Sequence, residues 1–171
     1  MLAITLLLVV GLFVDVNGAS LDDLIDALNT TQPIWLFNRS YEDVSENNSR
    51  ICVRWNRENL TRSNYQFSNH YKLGQQYYDQ NGTQATLVEE DKNATMAVNY
   101  KSGEVTYTLS MWNSSDHCFV LVLNNTNAST VQCELHLWHD KVRGTTLTSC
   151  DAAYQSLCSE QKKVFTEDEC L

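Results

Sequence analysis

Ser115-Asp116-His117 brings together a hydroxyl, a carboxylate and an imidazole, the residue types of a covalent hydrolytic site. Their spacing argues against that chemistry. Adjacent residues of a strand point to opposite faces, which separates the carboxylate from the imidazole it would have to orient. Ser115 also completes the sequon Asn113-Ser-Ser, and the next residue, Cys118, is expected in a disulfide. No catalytic residues are expected. Metal chemistry fares no better, because none of the six cysteines (Cys52, Cys118, Cys133, Cys150, Cys158, Cys170) forms a CxxC pair. The four histidines, His70, His117, His136 and His139, do not supply ligand pairs at recognisable spacing, so neither metal nor cofactor is expected. Glu134 and His136 remain as ionisable groups that share a face of one predicted strand, together with Trp138.

The chain opens with the apolar run Met1–Val14 and the small-residue exit Val16-Asn17-Gly18. This reads as a signal peptide over residues 1–18, leaving residues 19–171 as a single extracellular domain. An even number of cysteines in a secreted chain implies three disulfides. The net charge of −9 and the lack of any Lys/Arg cluster exclude a nucleic-acid footprint, and no later stretch is apolar enough to span a membrane. Nine Asn-x-Ser/Thr sequons, at Asn29, Asn38, Asn47, Asn59, Asn81, Asn93, Asn113, Asn124 and Asn127, mark surface positions and predict a heavily glycosylated protein.

Ser20-Leu-Asp-Asp23 resembles a capping box, and Leu21, Leu24, Ile25 and Leu28 follow at helical spacing, so a short amphipathic helix opens the domain. Eight β-rich runs come next: Ile34–Tyr41, Arg50–Asn56, Tyr65–Tyr71, Thr83–Val88, Thr95–Tyr100, Glu104–Trp112, His117–Leu123 and Thr130–Trp138. Asn81-Gly82 and Lys101-Ser-Gly-Glu104 carry turn chemistry, which predicts hairpins between sequential neighbours. An all-β fold follows, an eight-stranded antiparallel up-and-down sheet closed into a barrel with one end plugged by the first helix. Asp151–Lys163 reads as a second helix packed outside it.

The stretch from Ile34-Trp-Leu-Phe-Asn-Arg-Ser-Tyr-Glu-Asp43 to Cys52-Val-Arg-Trp55 resembles the first hairpin of the tick salivary lipocalins, the histamine-binding family. A longer signature of that family is similar to Cys118-Phe-Val120, then Glu134-Leu-His136, then Cys150. The resemblance covers nearly all of residues 19–171 and implies a lipocalin barrel secreted in saliva as a monomer. It also implies the pairs Cys52–Cys170 and Cys118–Cys150, which leave Cys133 for Cys158.

Family members that bind histamine line the barrel with carboxylates and aromatics, since a buried cation needs a paired negative charge and profits from ring faces. Glu134 matches one of those acids, whereas the other acidic position is Phe119 and the aromatic after Glu-Leu is His136. If Phe119 points inward as its counterpart does, so do Leu121 and Leu123. The expected interior then comprises Phe119, Leu121, Leu123, Glu134, His136 and Trp138, with Trp35, Tyr41 and Tyr107 as further candidates. Trp55, Trp112, Tyr78 and Tyr100 are weaker ones. Glu134 has two readings, ligand contact or pairing to an arginine such as Arg54.

Such a lining favours a sterol, a fatty acid or an eicosanoid over a biogenic amine, although the histamine reading stays open. Two roles are compatible with the resemblance. One is sequestration of a small host mediator or lipid in the barrel. The other is modulation of host immune cells, such as dendritic cells, through contact of the outer surface with a host protein.

Overall fold

Alternating apolar residues give each run of the chain one face to bury, and the runs satisfy that need by pairing with their neighbours in sequence. A computed structural model describes residues 18–144 and 148–171. The expected signal segment lies outside the described residues except for Gly18. The elements in order are α1 (Leu21–Leu28), β1 (Ile34–Arg39), β2 (Val44–Ser45), β3 (Asn48–Leu60), β4 (Asn64–Leu73), β5 (Gln76–Glu90), β6 (Asn93–Tyr100), β7 (Gly103–Asn113), β8 (Cys118–Leu123) and β9 (Gln132–Trp138). A 3-10 turn (His139–Lys141), α2 (Ser149–Leu157), β10 (Lys162–Lys163) and α3 (Glu167–Cys170) follow.

β1 and β3 through β9 form an antiparallel meander of eight strands that closes on itself, because β1 pairs with β9 on one side and with β3 on the other. β2 makes a small hairpin with β3. β1 can hold β3 only over Ile34 and Trp35; beyond that the strands splay, and β10 fills the gap by pairing Asn38 with Lys163 and Arg39 with Lys162. Val164 completes the bridge, donating to Phe37 O at 3.0 Å and accepting from Cys52 N at 2.8 Å.

α1 stoppers one end. Ser20 and Asp23 form a true capping box, with Ser20 Oγ accepting from Asp23 N at 3.1 Å and Asp23 Oδ2 accepting from Ser20 N at 2.9 Å. The helix drives Leu24, Ala27 and Leu28 into the barrel among Phe67, Met96, Leu109 and Phe119. Trp138 Nε1 donates to Ala27 O at 2.9 Å and ties the helix to the end of β9.

A second apolar layer lies outside the barrel, where Trp35, Val120, Leu135 and Leu137 pack with Tyr154 of α2 and Phe165 of the C-terminal segment. Three disulfides cross this layer: Cys118–Cys150 and Cys133–Cys158 clamp α2 to β8 and β9, and Cys52–Cys170 clamps the last residues to β3. These are the pairings that the family resemblance implies.

Two sequence expectations are corrected. Asn81-Gly82 is not a hairpin turn but lies within β5, where Gly82 at φ +69° forms a bulge opposite Ser68, the register shifting between Phe67 and Asn69. The actual turn is Gly74-Gln75, with Gly74 at φ +59°. The second helix ends at Leu157 and not at Lys163, because Cys158 turns extended to reach Cys133 and the chain then runs on to pair along β1.

The Cys52–Cys170 bond spans 118 residues and fastens the segment that fills the gap between β1 and β3. Its removal in C52S/C170S is expected to destabilise the fold by about 2–5 kcal/mol in denaturant titrations. An unchanged midpoint and slope would show that the segment is not needed for closure.

Candidate functional site

Opposite α1 the barrel encloses a cavity of about 420 Å³. Inward-facing positions on four strands supply its apolar wall: Leu36 on β1, Val53 and Trp55 on β3, Val105 on β7 and Leu123 on β8. Its polar groups form three sets.

The first set centres on Glu134, whose side chain is 3% exposed. Its Oε1 accepts from the Tyr41 hydroxyl, and its Oε2 lies 2.8 Å from His136 Nε2. His136 sits deeper, stacked face to face on Phe119 with centroids 4.9 Å apart, and packed against Trp55 at 4.5 Å. Its Nδ1 is buried without a hydrogen-bond partner among the described residues. Tyr100 and Tyr107 extend the set, their hydroxyls 3.4 Å apart. Burial pushes all three phenols, Tyr41, Tyr100 and Tyr107, well above the usual range, and the nearby Glu134 carboxylate pushes them further. They therefore stay protonated donors.

The second set is Asn69 with Gln80, joined by Asn69 Nδ2 donating to Gln80 Oε1 at 3.4 Å, with Asn69 Oδ1 buried and unpartnered. The third is the rim, where Asp43 accepts from Arg50 at 3.1 Å and from Arg39 at 3.4 Å, beside Lys101 and Ser102 of the β6–β7 turn. Arg50 also lies over the Tyr71 ring at 4.4 Å.

Of the residues expected inside, Tyr41, Tyr107, Leu123 and Glu134 line the cavity. Phe119, Leu121 and His136 point inward but lie in the packed core below it. Trp138 belongs to the end plug, stacked on His117 at 4.3 Å. Trp35 faces outward, which corrects its assignment to the interior: it opposes Arg54 in register, lies under that guanidinium at 5.3 Å, and packs on Phe165. The proposed Glu134–Arg54 pair therefore does not form, and the arginine across from Glu134 is Arg39.

Residues the sequence reading passed over include Asp43, Arg50, Asn69, Gln80 and Lys101. Asn69 alternates with Phe67 and Tyr71, so strand periodicity could have found it. The rim residues lie at strand ends and turns, where periodicity carries no signal. A second hollow of about 340 Å³ lies outside the barrel, between the end of α2 and the loop before β9.

A closed antiparallel barrel of eight strands, stoppered at one end and hollow at the other, is a lipocalin. The family model described as tick histamine binding protein matches residues 16–171, and the chain belongs to that family of tick salivary lipocalins. Among solved structures it is similar to japanin from Rhipicephalus appendiculatus, solved bound to cholesterol. The TM-score is 0.58 at 15% identity, covering 85% of this chain and 98% of japanin. No curated protein sequence matches it.

The shielded tyrosines predict a pH response. Phenols that hold their protons more tightly in the folded state than in the unfolded chain favour folding below the ordinary phenol value of about 10, and that advantage drains away as pH rises past it. Thermal midpoints followed by circular dichroism are expected to stay level near neutrality and fall above about pH 10. In Glu134→Gln, ultraviolet titration should show tyrosinate forming at lower pH. An unchanged titration would mean that the carboxylate does not act on these phenols.

Proposed function

We propose that this chain is a secreted salivary glycoprotein that holds one small, mainly apolar molecule with a hydrogen-bonding head in the cavity above Trp55, and thereby modulates host inflammatory or immune responses. On this reading residues 1–18 are the signal peptide, residues 19–171 are the mature domain, and the protein acts by sequestration without turnover.

One observation carries the choice of ligand class: the carboxylates on the cavity wall are already compensated from within the protein. Glu134 is engaged by Tyr41 and His136, and Asp43 by Arg39 and Arg50. A buried cation needs a carboxylate free to pair with it, which this lining does not hold in reserve. A neutral or singly polar lipid needs only apolar wall and one or two hydrogen bonds. Leu36, Val53, Trp55, Val105 and Leu123 offer the wall, and Tyr100, Tyr107 and Asn69 offer the bonds. The cavity volume falls within the range of roughly 300–1,000 Å³ common for small-molecule pockets. Japanin, solved bound to cholesterol, makes a sterol the first probe.

The test is titration with a fluorescent sterol, read as energy transfer from tryptophan, with Trp55 on the cavity wall as the nearest donor. Saturable binding is expected, and Val105→Trp, which fills the cavity, should weaken it by at least about tenfold, ~1.4 kcal/mol, with the fold intact. Native mass spectrometry of protein from eukaryotic culture should show a lipid adduct. Tight binding of histamine that Glu134→Gln abolishes, without sterol binding, would replace this reading with amine capture. Host-cell activity that survives in Val105→Trp would move function to the outer surface.

A further inference from the structure

We infer that the sequon at Asn38 is left unglycosylated in the folded protein, so that carbohydrate is confined to the other eight sequons and the seam of β1, β9, β10 and α2 is bare. This rests on the secreted reading above.

Asn38 lies in mid-seam. Its residue is 5% exposed, and its Oδ1 is buried without a hydrogen-bond partner among the described residues. It is flanked in register by Leu135 of β9 on one side and by Lys163 of β10 on the other. The third residue of the sequon is equally committed, with Ser40 N donating to Cys133 O at 3.0 Å and Ser40 Oγ accepting from Cys133 N at 2.9 Å. Cys133 is itself bonded to Cys158.

An N-linked glycan attaches through the side-chain amide nitrogen and needs a path to solvent wide enough for a sugar ring. At Asn38 the residue is almost fully covered, and the adjoining β10 is held in place by Val164, bonded to Phe37 and Cys52, and by the Cys52–Cys170 bond beyond it. A chain glycosylated there before folding would be unable to close this seam. It would reach the medium without that disulfide, or not at all.

The other sequons differ in kind. Asn29, Asn47, Asn59, Asn81, Asn124 and Asn127 are exposed, and Asn93 and Asn113 are partly so. Where the structure engages Asn29, Asn113 and Asn124, it does so through Oδ1, accepting from Arg57, from the amides of Ser115 and Asp116, and from Thr108. The amide nitrogen is the atom a glycan uses. No asparagine follows residue 127, so closing Asn38 leaves β1, β9, β10 and α2 without any attachment point.

The test is secretion of the full chain from eukaryotic cells, isolation of the monomer with all three disulfides formed, and enzymatic release of glycans in heavy-oxygen water, which labels each formerly glycosylated asparagine. Label is expected at the exposed sequons and absent from Asn38. In gel mobility, Asn81→Gln should lose one glycan while Asn38→Gln migrates as the parent does. Label at Asn38 in the fully disulfide-bonded monomer would overturn the inference. A secreted protein with no label anywhere would overturn the glycoprotein reading, and this inference with it.

Discussion

Closure of the barrel depends on β1, a strand of six residues that must satisfy three neighbours at once. An open meander would expose two unpaired edges, each a template for aggregation. β1 removes them by pairing along its length with β9, while its other edge is shared between β3 and β10. The irregularity between Leu36 and Asn38 lets one short strand follow two diverging partners. The disulfide-held tail is thus part of the barrel wall and not an appendage to it.

That division of labour explains the character of each layer. The outer layer is apolar, aromatic and cross-linked by sulfur, and it keeps the wall shut whatever occupies the interior. The inner layer divides by depth. Near α1 it is solid, built on Phe67, Met96, Phe119 and the stacked His136. Towards the rim it opens and becomes polar. A buried carboxylate such as Glu134 costs several kcal/mol unless it is compensated, and the Tyr41 hydroxyl and the His136 ring provide that compensation. The site is therefore organised before any guest arrives.

Most of the architecture was legible from alternation, because a strand with one face in a core must repeat every second residue. The first half of β5 was hidden, since Asn-Gly serves both a hairpin turn and a bulge, and only the pairing of Phe67 with Thr83 and of Asn69 with Gln80 tells them apart. The end of α2 is not marked in the sequence, which holds no local stop signal there; the reach of Cys158 to Cys133 ends it. In the site, alternation grouped Phe119 with Leu123 and Glu134 with His136, and the family resemblance implied that these groups face inward, but neither gave their depth. Depth is set by how far α1 intrudes, a tertiary property that no single strand records. Trp35 shows a harder limit, since its face depends on a cross-strand neighbour, Arg54, that lies far along the chain.

The stopper formed by α1 has a kinetic meaning. With Leu24 and Leu28 seated in one mouth, the described residues leave the cavity open at the other, beside Tyr41 and the Asp43 clamp, where a guest of the proposed kind would pass both ways. On the proposed reading, the rim residues and not the disulfide-held wall would set how readily a guest exchanges.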